Sequence, residues 1–186
     1  MNPFDETIRL LGSIEATALD GQFVDCAQAL RNVADLFVEQ ISAGACFLFV
    51  GNGASQSIAS HIAADFLKNG GAKAMAFTDP SLLTCVGNDL GFDRLFAEPI
   101  LRFGEPGGVL VAISSSGRSP NIIAAVEAAR ERDMTIVTAT GFDADNPVRC
   151  SGDYNFWVSS HDYGDVEVVH GAICHRILDY AIARRY

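Results

Sequence analysis

Positive charge is scarce in this sequence. Over 186 residues, 13 Lys and Arg stand against 23 Asp and Glu, a formal net charge of −10. A chain this acidic lacks the electrostatic footprint of a duplex-binding protein, and anionic lipid would repel it. Neither nucleic acid nor a membrane surface is expected as a partner. Long apolar runs are missing as well. The longest, such as Ala45–Val50 and Val109–Ile113, have strand length and fall far short of the ~20 residues of a membrane span. Proline is low at 6 residues, and no linker, low-complexity run or fixed-period repeat interrupts the chain. The cysteines, Cys26, Cys46, Cys85, Cys150 and Cys174, are odd in number and show no CxxC spacing. The opening MNPFDETIRLLG has no basic region followed by an apolar one. Both features predict free thiols in a reducing cytoplasm. With 49% hydrophobic and 19% charged residues, the chain can bury a sizeable core, and one domain over 1–186 is expected.

Periodicity divides that domain in two. Over residues 5–43, Ile8, Leu11, Ile14 and Ala18 fall at helical spacing. Phe23, Ala27, Leu30, Val33, Phe37 and Ile41 form a second stripe, with Gly21 at the break. The spacing predicts two helices over 1–43, long enough to pack on their own domain or to bury surface against a second subunit. From residue 44 the pattern alternates. Apolar strands near 45–50, 72–76, 108–113, 135–140 and 154–158 are separated by helical patterns near 58–67, 93–102 and 121–132, and a last helix covers about 165–183. Such alternation predicts an α/β three-layer sandwich around a parallel sheet.

Two loops carry the strongest chemical signal. Gly51-Asn-Gly-Ala-Ser55 and Ser114-Ser-Ser-Gly-Arg-Ser119 each follow an apolar strand and open a helix. Sheets of this kind bind ligands beyond the carboxyl ends of their strands. Gly51 and Gly53 permit close backbone approach, and Ser55, Ser114, Ser115, Ser116 and Ser119 supply hydroxyls. Unpaired N–H groups and the positive end of a helix favour an anion there. Neither loop is a GxxxxGK[ST] phosphate loop, because the Lys is absent, and Gln56 stands where GxGxxG needs its third Gly. A nucleotide site is therefore disfavoured. The plain alternative is that Ser and Gly only cap helices, but four serines within six residues exceed what a cap requires.

The runs FVGNGASQSIASHIAADF, DPSLLTCVGNDLGF, AISSSGRSPNIIAAVEAAR and YGDVEVVHGAICHRIL resemble the sugar-isomerase (SIS) domain family, and within it the bacterial phosphoheptose isomerases. The resemblance spans nearly the whole chain. It implies a flavodoxin-like, five-stranded parallel sheet preceded by two helices used in oligomerisation, with 44–186 as the α/β core. It also implies a homotetramer with active sites between subunits. The implied reaction converts sedoheptulose 7-phosphate to D-glycero-D-manno-heptose 7-phosphate through a cis-enediol. By the same resemblance Ser114, Ser115, Ser116 and Ser119 hold the phosphate, and Asn52, Gly53, Ser55, Asp89 and Asp165 contact substrate.

A second constellation has metal-ligand character. His61 and Asp65 share a helix face at i and i+4, while Glu167 and His175 share the last helix at about 80° of offset. Two His and two carboxylates suit Zn²⁺ or a similar ion. The resemblance gives Asp65 the base position and His175 the acid position. Two departures stand out. The family carries Glu where this chain has Asp65, shorter by roughly 1.5 Å, one carbon–carbon bond, and Gln where it has Glu167. These changes leave open an isomerase of another sugar phosphate. A non-catalytic module that binds phosphosugar or a replication initiator is the further alternative, against which the acid at 65 and His175 argue. Arg118 and His161 read as solvated, Cys85 and Cys174 as buried small residues, and Trp157 as core.

Overall fold

Each of the five apolar runs from residue 45 onward forms a parallel strand. A computed structural model describes residues 2–18 and 20–185. The strands are β3 (Cys46–Val50), β4 (Lys73–Ala76), β5 (Val109–Ser114), β6 (Thr135–Thr140) and β7 (Tyr154–Trp157), and each pairs parallel with its neighbour in the order β4-β3-β5-β6-β7. Strands buried on both faces read as continuous apolar runs, and β3 and β5 are buried along their whole length.

The helices are α1 (Asp5–Leu11), α2 (Cys26–Ser42), α3 (Ala54–Lys68), α4 (Pro80–Asp89), α5 (Arg94–Phe103), α6 (Pro120–Glu131) and α7 (Tyr163–Arg185). Side chains of successive strand residues face opposite ways, which divides the core. Phe47, Phe49, Val111, Ile113 and Val137 pack with α2, α3 and α7. Leu48, Val50, Leu110, Ala112 and Ile136 pack with α5 and α6. Around Phe66 of α3 lie Phe37, Phe47 and Phe49, with ring centroids 5.4, 6.1 and 5.6 Å away. Among the described residues no helix is long and apolar enough to cross a membrane.

The N-terminal region departs from the expected helical pair. Helix α1 ends at Leu11, and the chain then forms a hairpin, β1 (Glu15–Ala18) and β2 (Phe23–Val24). β1 joins β7 antiparallel, with Ala16 opposite Phe156, so the sheet has seven strands in the order β2-β1-β7-β6-β5-β3-β4. The spacing of Ile14 and Ala18 suits a helix as well as a strand. Pairing with a strand edge far along the chain decides between them, as tertiary context does for short apolar segments. Ile8 and Leu11, expected to be buried, are exposed, and Leu10 fills the core in their place.

Candidate functional site

From β3 the chain steps outward to β4, then returns to β5 on the other side of β3. The order of the sheet therefore reverses between β3 and β5. At such a point the loops leaving two adjacent strands diverge and open a crevice. Both Gly/Ser loops lie here. Gly51 admits no side chain, since a Cβ would come within 2.6–2.8 Å of the Ser55 and Gln56 backbone. Gln56 closes this turn by accepting from Gly51 N at 3.0 Å. Gly53, with φ 55°, begins α3 without a side-chain cap. In the second loop Gly117 has φ 59°, and a Cβ there would stand 1.9 Å from Asn146 Oδ1. The loops are joined by a reciprocal amide pair. Asn52 Nδ2 donates to Asn121 Oδ1 at 2.9 Å, and Asn121 Nδ2 donates to Asn52 Oδ1 at 2.8 Å.

Between the loops is a small cavity of about 130 Å³, lined by Asn52, Ser55, Ser114, Ser115, Ser116, Ser119, Tyr163 and Glu167. Its hydroxyls are only partly used. Ser114 Oγ accepts from Gly117 N, and Ser116 Oγ accepts from Arg118 N. Ser119 precedes α6 without capping it through its side chain. Ser115 Oγ is buried and has no hydrogen-bond partner, an arrangement that costs about 1–3 kcal/mol unless a ligand or water completes it. Two helices, α3 and α6, begin at this cavity, and their free N–H groups favour negative charge.

A second group lies further along α3 and α7. One potential ligand atom from each of His61, Asp65 and His175 lies within 4.8 Å of the others. His61 Nε2 is 3.3 Å from Asp65 Oδ2, and the imidazoles of His61 and His175 have centroids 5.3 Å apart. An edge of about 3.3 Å is what a tetrahedral ion with bonds of ~2.0–2.1 Å requires. Two imidazole nitrogens and one carboxylate oxygen are a donor set that could hold a divalent ion. Glu167 is not one of the three; it faces the serine cavity. Ser55 and His61 are six residues apart on α3, and Glu167 and His175 eight apart on α7. At 1.5 Å per residue, these two spacings are about 9 and 12 Å along the helix axes.

The remaining expected site residues lie elsewhere. Asp89 ends α4, exposed, accepting from Asn88 Nδ2 and approached by Cys85 Sγ. Asp165 accepts from the Thr7 hydroxyl and so ties α1 to α7. Cys85 is exposed rather than buried, whereas Cys174 is buried and its thiol is pushed up to about 12 by desolvation. Trp157 is core, with the Arg149 guanidinium 4.5 Å from its ring. Tyr163 and Asn121 are site residues that sequence reasoning missed. An isolated Tyr or Asn carries no local signal, and both acquire a role only across elements.

His170, on α7 between Glu167 and His175, is fully buried, and neither ring nitrogen makes a hydrogen bond. Desolvation lowers its pKa from 6.5 to about 4, against a smaller opposing pull from the Thr140 backbone. The folded chain keeps this imidazole neutral in a range where the unfolded chain protonates it. Stability is therefore complete above about pH 6.5, falls as pH drops toward 4, and levels off below. The expected loss is roughly 3 kcal/mol. Urea denaturation at pH 7 and pH 4.5 checks it, and His170→Phe should remove most of this pH dependence.

The SIS-domain family model matches residues 15–141. The phosphoheptose isomerase of Solidesulfovibrio magneticus is 36% identical over 180 residues, 92% of this chain and 87% of that one. That of Shewanella loihica is 37% identical over 168 residues, 84% and 85% of the two chains. A shorter match, 42% over 123 residues, joins 63% of this chain to 65% of the Rhodospirillum rubrum phosphoheptose isomerase. The solved phosphoheptose isomerase of Neisseria gonorrhoeae superimposes with a TM-score of 0.84 at 32% identity, covering 96% of this chain and 94% of that one.

Proposed function

The chain belongs to the SIS-domain family, and on that basis we propose that it is a phosphosugar aldose–ketose isomerase converting sedoheptulose 7-phosphate to D-glycero-D-manno-heptose 7-phosphate. The observation that carries this reading is the unpartnered Ser115 hydroxyl, buried in a serine-lined cavity where α3 and α6 begin. A phosphate accepts hydrogen bonds there from hydroxyls and helix N–H groups. A seven-carbon chain with a terminal phosphate spans about 10 Å when extended, comparable to the axial rise of about 9 Å from Ser55 to His61 and about 12 Å from Glu167 to His175. Phosphate in the cavity would leave the reacting carbons beside His61, Asp65 and His175.

In this reaction a base takes a proton from C1, a cis-enediol forms, and a proton is delivered to C2. The oxygen at C2 becomes a hydroxyl as that at C1 becomes a carbonyl. Zn²⁺ held by His61, Asp65 and His175 would polarise the carbonyl and stabilise negative charge on the enediol oxygens. Asp65 cannot ligate through both oxygens and also accept the proton. Its Oδ2 faces His61, while Oδ1 accepts from Asn69 Nδ2 at 3.4 Å, so ligation through Oδ2 leaves Oδ1 as the base. A ring nitrogen of His175 that ligates the ion has no proton to give, so as the acid toward the sugar oxygen His175 would act through its other ring nitrogen. We assign the protein to the cytoplasm as a homotetramer. Residues 1–43 would contribute to assembly, and the exposed Phe4 and Ile8, at 64% and 59%, support that role.

Purified protein of known metal content should turn over sedoheptulose 7-phosphate, lose activity on chelation and recover it with Zn²⁺. A metal-loaded preparation that makes no aldose overturns the proposal.

A further inference from the structure

The serine cavity has no cationic side chain in its wall, and its one acidic side chain is Glu167. An ionised carboxylate beside a phosphate monoester is repulsive, and each helix N-terminus supplies only about half a positive charge. A cation beside the cavity would offset that carboxylate.

The serine loop itself carries one cation, Arg118. It lies in the serine loop between Ser116 and Ser119, both in the cavity wall. Its guanidinium is turned outward, with Nη2 2.8 Å from Asp145 Oδ1 and Nε 3.5 Å from Asp143 Oδ2. These anchors belong to the loop after β6, which packs back onto the cavity wall. Phe142 meets the Tyr163 ring edge-on at 4.9 Å and stacks on His161 at 5.2 Å. Asp143 also faces His161 Nε2 at 3.1 Å. The loop that anchors the guanidinium is thus in contact, through Phe142, with Tyr163 of the cavity wall.

The anchoring pairs are weak. Asp145 is 84% exposed, Asp143 54% and Arg118 48%, and exposed pairs of this kind contribute little to stability. A phosphate offers a planar guanidinium two parallel charge-assisted hydrogen bonds in a partly desolvated place. The exchange therefore favours the ligand.

We propose that Arg118 is a specificity-determining residue of the serine cavity, one that leaves Asp143 and Asp145 to pair with a bound phosphate monoester and offset Glu167. The proposal rests on the cavity's being the phosphate site. It also accounts for a carboxylate being tolerated there.

The test measures the Kd of inorganic phosphate by titration calorimetry, together with KM and kcat for sedoheptulose 7-phosphate, at two ionic strengths. Wild type, Arg118→Ala, Arg118→Lys and Asp145→Asn are compared. Arg118→Ala should raise Kd and KM by about 10–100-fold, the range for a hydrogen bond to a charged group, with kcat within about threefold. Arg118→Lys should recover part of the loss. Asp145→Asn should tighten phosphate binding by weakening the competing pair, which a purely structural ion pair would not do. Wild-type Kd should weaken with salt more steeply than that of Arg118→Ala. If wild type binds phosphate and Arg118→Ala binds it equally well, Arg118 is not a recognition residue. Recognition by Arg118 is equally overturned if Asp145→Asn weakens binding as much as Arg118→Ala does. If wild type binds neither phosphate nor phosphosugar, the reading of the cavity fails first and takes this proposal with it.

Discussion

His175→Ala is expected to lose turnover by roughly 10²–10⁴-fold, the range for removing an acid–base group, and to lose its metal as well. His175 is the only one of the three donors that comes from α7; His61 and Asp65 both come from α3. Without it a two-donor remnant is left on one helix, open to solvent on the side the imidazole occupied. The side chain is not buried, so the change should cost little stability, and the loss should be chemical. Metal content by elemental analysis and steady-state kinetics on the same sample check this together. A variant that keeps both wild-type turnover and a full metal load would show that the triad has no part in the reaction. His61→Ala should behave alike in metal content and retain more rate under saturating metal, because it removes a donor and leaves the acid in place.

Phe66→Ala should be among the most damaging single truncations in the core. Its ring is 1% exposed and meets three other phenylalanines. Removing a buried Phe costs about 3–5 kcal/mol, the transfer term plus the cavity left behind. That is a large share of the 5–15 kcal/mol by which a domain of ordinary stability exceeds its unfolded state. Urea denaturation at pH 7 reads the loss as a lower midpoint with an unchanged slope. The effect should also reach the site. Phe66 adjoins Asp65 on α3, and the packing of this ring against β3 and α2 sets the position of the helix that carries His61 and Asp65. An unfolding free energy within about 1 kcal/mol of wild type would mean that the four-ring cluster relaxes around the gap.

The parallel strands were legible because a strand buried on both faces has to be apolar at every position, and CFLFV and VLVAIS can satisfy little else. The two loops were legible because close backbone approach and helix starts demand Gly and Ser in place. His61 and Asp65 were legible as a pair because helical geometry alone puts i and i+4 side by side. These features are local, so the order of residues determined them: an α/β sandwich, a Gly/Ser-lined crevice at the strand ends, and two of the three members of the His/Asp cluster.

Tertiary structure decided the rest. The segment 14–24 became a hairpin because β7 offered it an edge, and no local period distinguishes that outcome from a helix. His175 met His61 because α3 and α7 lie side by side on one face of the sheet. Glu167, on the same helix, lines the serine cavity and lies outside the three-residue cluster. The Asn52–Asn121 pair, Tyr163 in the cavity wall and the outward grip on Arg118 all join residues far apart in sequence. Such contacts depend on the relative placement of whole elements, which hydrophobic burial over the entire core determines and no short stretch of sequence encodes.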